Sequence, residues 1–528
     1  MGIRKRGFSP RGRLSVPLAA AMLAVGLGSL GGTLPRPAAA ATEAAFISEQ
    51  VFAVAYGKIA EVYLQQVDFG RLGLDGLKGL ATIDPTARAE RQGNTVRLYV
   101  SGSVIGEYAA PSLSDAAGWA ALTTKAVERA RLYSPTLYQA VPERVYQVVL
   151  DSVMSDLDGY SRYTGTQRAT SERAQREGYG GIGLSLETAN GRTLIRNVLP
   201  RSPADRAGIR SGDQLLAIDG DLTARLSESD MRDRLRGPTG TMVLLTVARD
   251  NNPPRRAPLR RERVVPNTVN SSVSEQVGVL KVDRFNASTA SNLRDAVLST
   301  RQSVGKGLRG FVLDLRGNPG GLLDQAVAVA DLFIAQGKII TTEGRHPDSR
   351  QRFEAGPDDI ADGLPLVVLV DGRSASSAEV VAAALQDSGR AVVVGASSYG
   401  KGSVQTVTRL PNDGELFLTW SRIYTPAGYT LHRQGVQPTV CTSRTGQDDP
   451  VALLSDLRDG RARPMTQFAG WRARAADDEE ALARLREACP WKEHEPELDV
   501  KVALRLLAEP ALYQRAVALS STNTVAER

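Results

Sequence analysis

Four short, largely apolar runs constrain this chain more than any other feature: residues 277–282, 310–315, 366–370 and 391–394. Between them lie segments 322–333 and 378–386, whose apolar residues recur at helical spacing. Strand and helix in turn specify a layered α/β architecture, in which loops at strand ends gather functional groups. The flanks read differently. From 43 to about 163 the pattern is mainly helical, with Val51, Phe52, Ala55, Ile59 and Val62 in one stretch and Val145, Val148, Val149 and Val153 in another. Thr95–Val100 alternates as a short strand between them. Residues 251–263 are rich in Pro and Arg and read as a linker, and the tail after Cys441 turns helical and charged.

The first forty residues stand apart. Arg4, Lys5, Arg6, Arg11 and Arg13 precede an apolar Gly/Ala-rich run, then Pro35 and Ala38, Ala39 and Ala40. This is the layout of a secretory signal peptide. An uncleaved anchor is the rival, since the run is long enough to span a bilayer, but Pro17 and several Gly weaken it as a helix. Those forty residues hold six Arg or Lys and no acidic residue, so the net charge of +7 less these six leaves +1 for the rest. The basic balance therefore belongs to the export signal and does not indicate a nucleic-acid partner. What remains is enough for about two to four domains. The two cysteines, Cys441 and Cys489, fit no zinc or CxxC spacing; they either pair in an oxidising compartment or stay as buried thiols.

Three loops follow strand ends: 314–321 (Asp-Leu-Arg-Gly-Asn-Pro-Gly-Gly), 371–379 (Asp-Gly-Arg-Ser-Ala-Ser-Ser-Ala-Glu) and 398–405 (Ser-Tyr-Gly-Lys-Gly-Ser-Val-Gln). A serine between a strand and a helix start either caps the helix or serves as a nucleophile beside helix amides. A nucleophile needs a base, and none of the three histidines, His346, His432 and His494, has a Ser-His-Asp context. A lysine serves if burial keeps its amine neutral. Lys401, between Gly400 and Gly402, is placed to enter such a pocket; Gly400-Lys401-Gly402-Ser403 lacks the P-loop spacing.

Upstream, Gly178-Tyr-Gly-Gly-Ile-Gly-Leu leads to Ala207-Gly-Ile-Arg-Ser-Gly-Asp-Gln-Leu-Leu-Ala-Ile-Asp-Gly220, and this stretch resembles a PDZ domain. The resemblance implies that Gly181, Ile182, Gly183 and Leu184 form the nest for a terminal carboxylate, beside which a peptide adds as a strand. The three loops together resemble the carboxyl-terminal processing (tail-specific) serine proteases. That likeness runs from about Asp151 to Val440, supported by Leu157-Asp-Gly-Tyr-Ser-Arg-Tyr163 and Thr419-Trp-Ser-Arg-Ile-Tyr-Thr-Pro-Ala-Gly428. It implies Ser376 as nucleophile, Lys401 as base, Gln405 as the residue positioning the lysine amine, and Gly321 with the Ser377 amide as the oxyanion hole.

Two positions depart from the family pattern. Ser377 stands where Ala is usual, with Ala378 in place of Ser, so Ser377 competes as nucleophile; Tyr399 replaces a usual Phe. The expected organisation is a signal peptide (1–40), a mostly helical region (41–177), a PDZ domain (178–252), a crotonase-like spiral α/β protease core (262–440) and a helical region (441–528). No cofactor and no metal is expected. The family resemblance implies bacterial envelope proteins with apolar carboxyl termini as substrates, and in some members a lipoprotein adaptor. The rival readings are a PDZ scaffold with a decayed catalytic fold, or an esterase on the same spiral core.

Overall fold

The computed structural model describes residues 36–250, 252–443, 449–462, 464–475, 478–491 and 496–520. The expected signal peptide lies outside them, apart from 36–40, which begin helix α1 (Arg36–Val62). The fold described here is that of the compact unit Phe46–Arg528.

Helices α1, α2 (Phe69–Lys78), α3 (Ala116–Tyr133) and α4 (Pro142–Ser155) pack around the fully buried Trp119, Phe52 and Tyr56. Against them lies a three-stranded antiparallel sheet, β1 (Arg88–Gln92), β2 (Thr95–Val100) and β3 (Ser103–Ala109). Only β2 was expected. Strand β1 buries Ala89 alone among polar neighbours, so its sequence carries no visible alternation. The chain then passes through β4 (Arg162–Thr164) and α5 (Thr166–Glu177) to β5 (Tyr179–Gly181).

The PDZ sheet has the order β10-β9-β8-β7-β6, built from β6 (Leu184–Ala189), β7 (Arg192–Val198), β8 (Gln214–Ile218), β9 (Met242–Ala248) and β10 (Arg255–Arg260), with α6 (Glu228–Leu235) beside it. The supposed linker 251–263 is therefore largely strand. In Arg255–Arg260, Ala257 and Leu259 point inward while the Arg and Pro residues face out, a two-residue period hidden by its charges. Pro258 is tolerated because β10 is an edge strand. After it, β11 (Glu262–Val264) pairs with β5, so the two chains joining the PDZ domain to the core form a ribbon.

In the core, β12 (Val269–Ser274), β13 (Val277–Val282), α7 (Thr289–Val304), β14 (Gly310–Asp314), α8 (Leu323–Asp331), β15 (Lys338–Glu343), β16 (Gln351–Glu354), β17 (Leu366–Val370), α9 (Ser377–Asp387), β18 (Val392–Gly395), β19 (Ser403–Arg409), β20 (Glu415–Tyr424) and β21 (Val440–Cys441) follow in order. The main sheet runs β12-β13-β14-β17-β18-β21, parallel from β13 onward. Strands β14 and β17 are buried at every position, which is why they read as continuous apolar runs. This is the layered α/β core that the alternation indicates. A second sheet, β16-β15-β20-β19, takes β4 onto β20 and so joins the helical region to the core.

Helices α7, α8 and α9 cover one face of the main sheet. The other face is closed by α10 (Pro496–Ala508) and α11 (Pro510–Ser520), whose Val502, Leu506 and Ala516 pack on Val312, Val367 and Val394. A disulfide links Cys441 to Cys489, settling which of the two cysteine readings holds in this fold. The Cys489 carbonyl accepts hydrogen bonds from the Ser397 N–H (3.1 Å) and hydroxyl (2.5 Å), so the crosslink braces the loop that leads to Lys401. Replacing both cysteines by Ser is expected to cost about 2–4 kcal/mol. Urea unfolding checks this; an unchanged midpoint, with two titratable thiols in the parent, would contradict it.

Candidate active site

The three loops converge on one cavity of about 400 Å³, lined among others by Gly320, Gly321, Ser376, Ser377, Lys401 and Gln405. Loop 314–321 leaves β14, and loop 371–376 leaves the adjacent parallel β17, so both emerge at the same sheet edge. They are laced together. Asp371 accepts from the Gly317 N–H (3.0 Å), the Ser374 hydroxyl donates to the Leu315 carbonyl (2.9 Å), and the Ala375 N–H donates to the Asn318 carbonyl (2.9 Å). Gly321 needs to be glycine: at φ +149° a Cβ would lie 2.0 Å from the Phe285 carbonyl oxygen.

Ser376 is the N-cap of α9, with φ 55° and ψ −116°. That backbone region is costly for a residue with a side chain and is held only where surroundings over-determine it. What holds it is Glu379, one turn into the helix and fully buried. Its carboxylate accepts four hydrogen bonds: from the Ser376 N–H (2.7 Å), the Ser398 hydroxyl (2.6 Å), the Gly400 N–H (2.6 Å) and the Lys401 N–H (2.9 Å). One carboxylate thus clamps the serine loop to the lysine loop. Burial pushes its pKa up against these four bonds, which favour the charged form. The motif contained Glu379, yet its role was not foreseen; the Ser-x-x-Glu capping-box spacing was the available signal.

Lys401 is half-buried, and its pKa is lowered first by desolvation and then by the Arg162 charge, with Glu379 and Asp158 opposing. Its Nζ lies 5.4 Å from the centre of the Tyr160 ring. Gln405 shares the cavity, but its amide nitrogen donates to the hydroxyls of Ser403 (2.9 Å) and Thr419 (3.2 Å). Among the described residues no hydrogen bond joins Lys401 Nζ to Gln405 or to Ser376. In resting active sites such bonds are often loose and tighten when substrate arrives.

Ser377 is 2% exposed, and its hydroxyl donates to the carbonyls of Gly321 (2.9 Å) and, at 3.4 Å, Leu322. That hydroxyl fastens the serine loop to the Gly321 loop. The Ser377 N–H opens the helix, where amides lack intrahelical partners. His432 does not line the cavity; burial first, then the charges of Arg422 and Arg433, lower its pKa to about 4. His346 caps a short turn, and His494 lies outside the described residues.

A second cavity, of about 260 Å³, lies between β6 and α6 and is lined by Ile182, Gly183, Leu184, Met231 and Leu235. Gly181 is not part of it. The register of β5 pairs Gly181 with Glu262 in the connecting ribbon.

Residues 276–442 match peptidase family S41, and residues 194–249 match the PDZ domain family. The carboxy-terminal-processing protease of Bartonella bacilliformis is 35% identical over 310 residues, 58% of this chain and 71% of that protein. The chain belongs to family S41. The carboxy-terminal processing protease CtpA of Bacillus subtilis is 33% identical over 285 residues, covering 54% of this chain and 60% of that protein. A solved structure, the photosystem II D1 C-terminal processing protease, aligns with a TM-score of 0.37 at 23% identity, over 74% of this chain and 92% of its own. The chain is accordingly a serine-type carboxy-terminal processing protease carrying a PDZ domain.

Proposed function

We propose that this protease cleaves internal peptide bonds with Ser376 as nucleophile and Lys401 as general base, through an acyl-enzyme. The observation that carries the reading is the meeting of Ser376, a half-buried Lys401 with lowered pKa, Gly321 and Ser377 in one cavity. Neutral Lys401 takes the Ser376 hydroxyl proton as Oγ attacks the substrate carbonyl carbon, and the Gly321 and Ser377 amides stabilise the oxyanion. The C–N bond then breaks, with the ammonium of Lys401 returning a proton to the leaving amine. Water, deprotonated by the same amine, releases the acyl group and restores Ser376. The PDZ groove takes the apolar carboxyl terminus of the substrate, with Met231 and Leu235 supplying apolar contact and the backbone at Ile182, Gly183 and Leu184 meeting the carboxylate.

The substrates in this reading are proteins of a bacterial envelope, and the chain acts after export, with an adaptor lipoprotein as an optional partner. The leader layout and the Cys441–Cys489 disulfide both favour an oxidising compartment. The test is incubation of the chain lacking residues 1–40, beside its Ser376→Ala variant, with an unstructured protein ending in apolar residues, followed by mass spectrometry. Fragments from the parent alone are expected. Fragments from both would remove Ser376 from the mechanism, and fragments from neither would favour a scaffold.

A further inference from the structure

The cavity that holds Ser376 is also lined by three guanidiniums, Arg162, Arg176 and Arg284, and by one carboxylate, Glu172. Two of the cations are matched. Arg162 stacks on Phe417, 3.6 Å from its ring centre, and bonds Glu172 at 2.7 Å. Arg176 bonds the buried Glu415 at 2.9 Å. Each of these carboxylates is shared with a further cation, Glu172 with Arg168 and Glu415 with Arg173, so neither has negative charge to spare.

Arg284 differs from both. Among the described residues its side chain makes no ion pair; its guanidinium bonds the neutral side-chain oxygen of Gln175 on α5. Its place is fixed close to the reacting centre. The next residue, Phe285, donates its N–H to the Gly320 carbonyl (3.0 Å) and accepts from the Leu322 N–H (3.0 Å), so Arg284 is pinned beside the Gly320–Gly321 turn. A guanidinium without a counter-charge, in a cleft lined by two other guanidiniums, favours an incoming anion over a neutral group.

Building on the peptidase reading, we propose that Arg284 is a specificity residue that selects substrates with an Asp or Glu side chain close to the scissile bond. An acidic side chain brought into the cleft forms a charge-assisted, bidentate pair with the guanidinium.

The test uses a peptide series that shares one apolar carboxyl terminus, so that the PDZ groove meets the same tail throughout, with Glu, Gln or Lys placed in turn at each position flanking the cleaved bond. For the parent, Glu at one or more positions is expected to raise kcat/KM about tenfold over Gln, mainly through KM. Arg284→Gln, which keeps a partner for Gln175 but no charge, should abolish that difference. Arg284→Glu should reverse it in favour of Lys. Equal kcat/KM for Glu and Gln at every position in the parent, or a preference that survives both substitutions, would overturn the proposal. Binding of the same peptides to Ser376→Ala and to Ser376→Ala/Arg284→Gln provides a readout without turnover. If the parent cleaves nothing, the peptidase reading fails, while an acid preference in Ser376→Ala that Arg284→Gln removes would still establish the acidic site, and its absence would refute it.

Discussion

Lys401→Met is expected to lower kcat/KM by about 10⁴-fold and, at neutral pH, to leave the protein more stable than the parent. In the proposed mechanism the loss of activity follows from the base: without the Lys401 amine no group is left to take the Ser376 proton, and removal of one member of such a pair costs about that factor or more. The gain in stability follows from the same desolvation that lowers the Lys401 pKa. Desolvation and the Arg162 charge hold its folded-state pKa below the ordinary value of 10.5, whereas in the unfolded chain it titrates as a normal lysine. Between those two values the unfolded state binds more protons than the folded state, so stability contributed by this group falls as pH drops through the ordinary value and levels off below the depressed one. Methionine fills the same space and carries no such penalty. Thermal unfolding against pH should therefore rise with pH more steeply in the parent than in Lys401→Met. The parent's pH–rate profile should show an acid limb below the ordinary lysine range. Equal pH slopes for the two proteins would show that Lys401 is charged in the fold, which would remove it as a resting-state base.

The elements that the sequence made legible are those whose signal is local. Strands β14 and β17 are buried on both faces and show it as unbroken apolar runs, and the serine and lysine loops carry their residue types at short spacing. What escaped depends on partners far along the chain. Strand β10 was read as a linker because Arg255, Arg256, Pro258 and Arg260 dominate it, although Ala257 and Leu259 do the packing. Helices α10 and α11 were legible as helices, but nothing local says that they close the second face of the sheet. Gly181 sits in a Gly-rich loop whose register is decided by β11, some eighty residues later. Arg284 looks like any surface arginine until Gln175 and the Gly320–Gly321 turn are brought beside it.

Glu379 is the clearest case of a non-local role, and it carries the second large expectation. As an acidic residue in the first turn of a helix it reads as a favourable dipole contact on an exposed surface. In the fold it is fully buried, and three of its four donors come from residues 398–401. Glu379→Gln changes little in volume, yet a carboxamide presents an NH₂ where one carboxylate oxygen accepted two hydrogen bonds. Whichever way it turns, two donors lose their acceptor: the amides of Ser376 and Lys401, or the Ser398 hydroxyl and the Gly400 amide. At about 1–3 kcal/mol for each buried donor left unsatisfied, the variant should lose about 2–6 kcal/mol of stability. Its kcat should fall by about 100-fold or more, because the strained Ser376 backbone and the lysine loop are no longer held to each other, and small misplacements of reacting groups cost about that much. KM and binding of an apolar carboxyl-terminal peptide should change little, since the PDZ groove shares no residue with the clamp. A purely structural role would instead lower the amount of active enzyme while leaving kcat per active site, counted with a serine-directed covalent probe, at the parental value. Active-site titration beside the kinetics separates the two, and a parental kcat per titrated site would show that Glu379 supports the fold without setting the geometry of the serine and lysine.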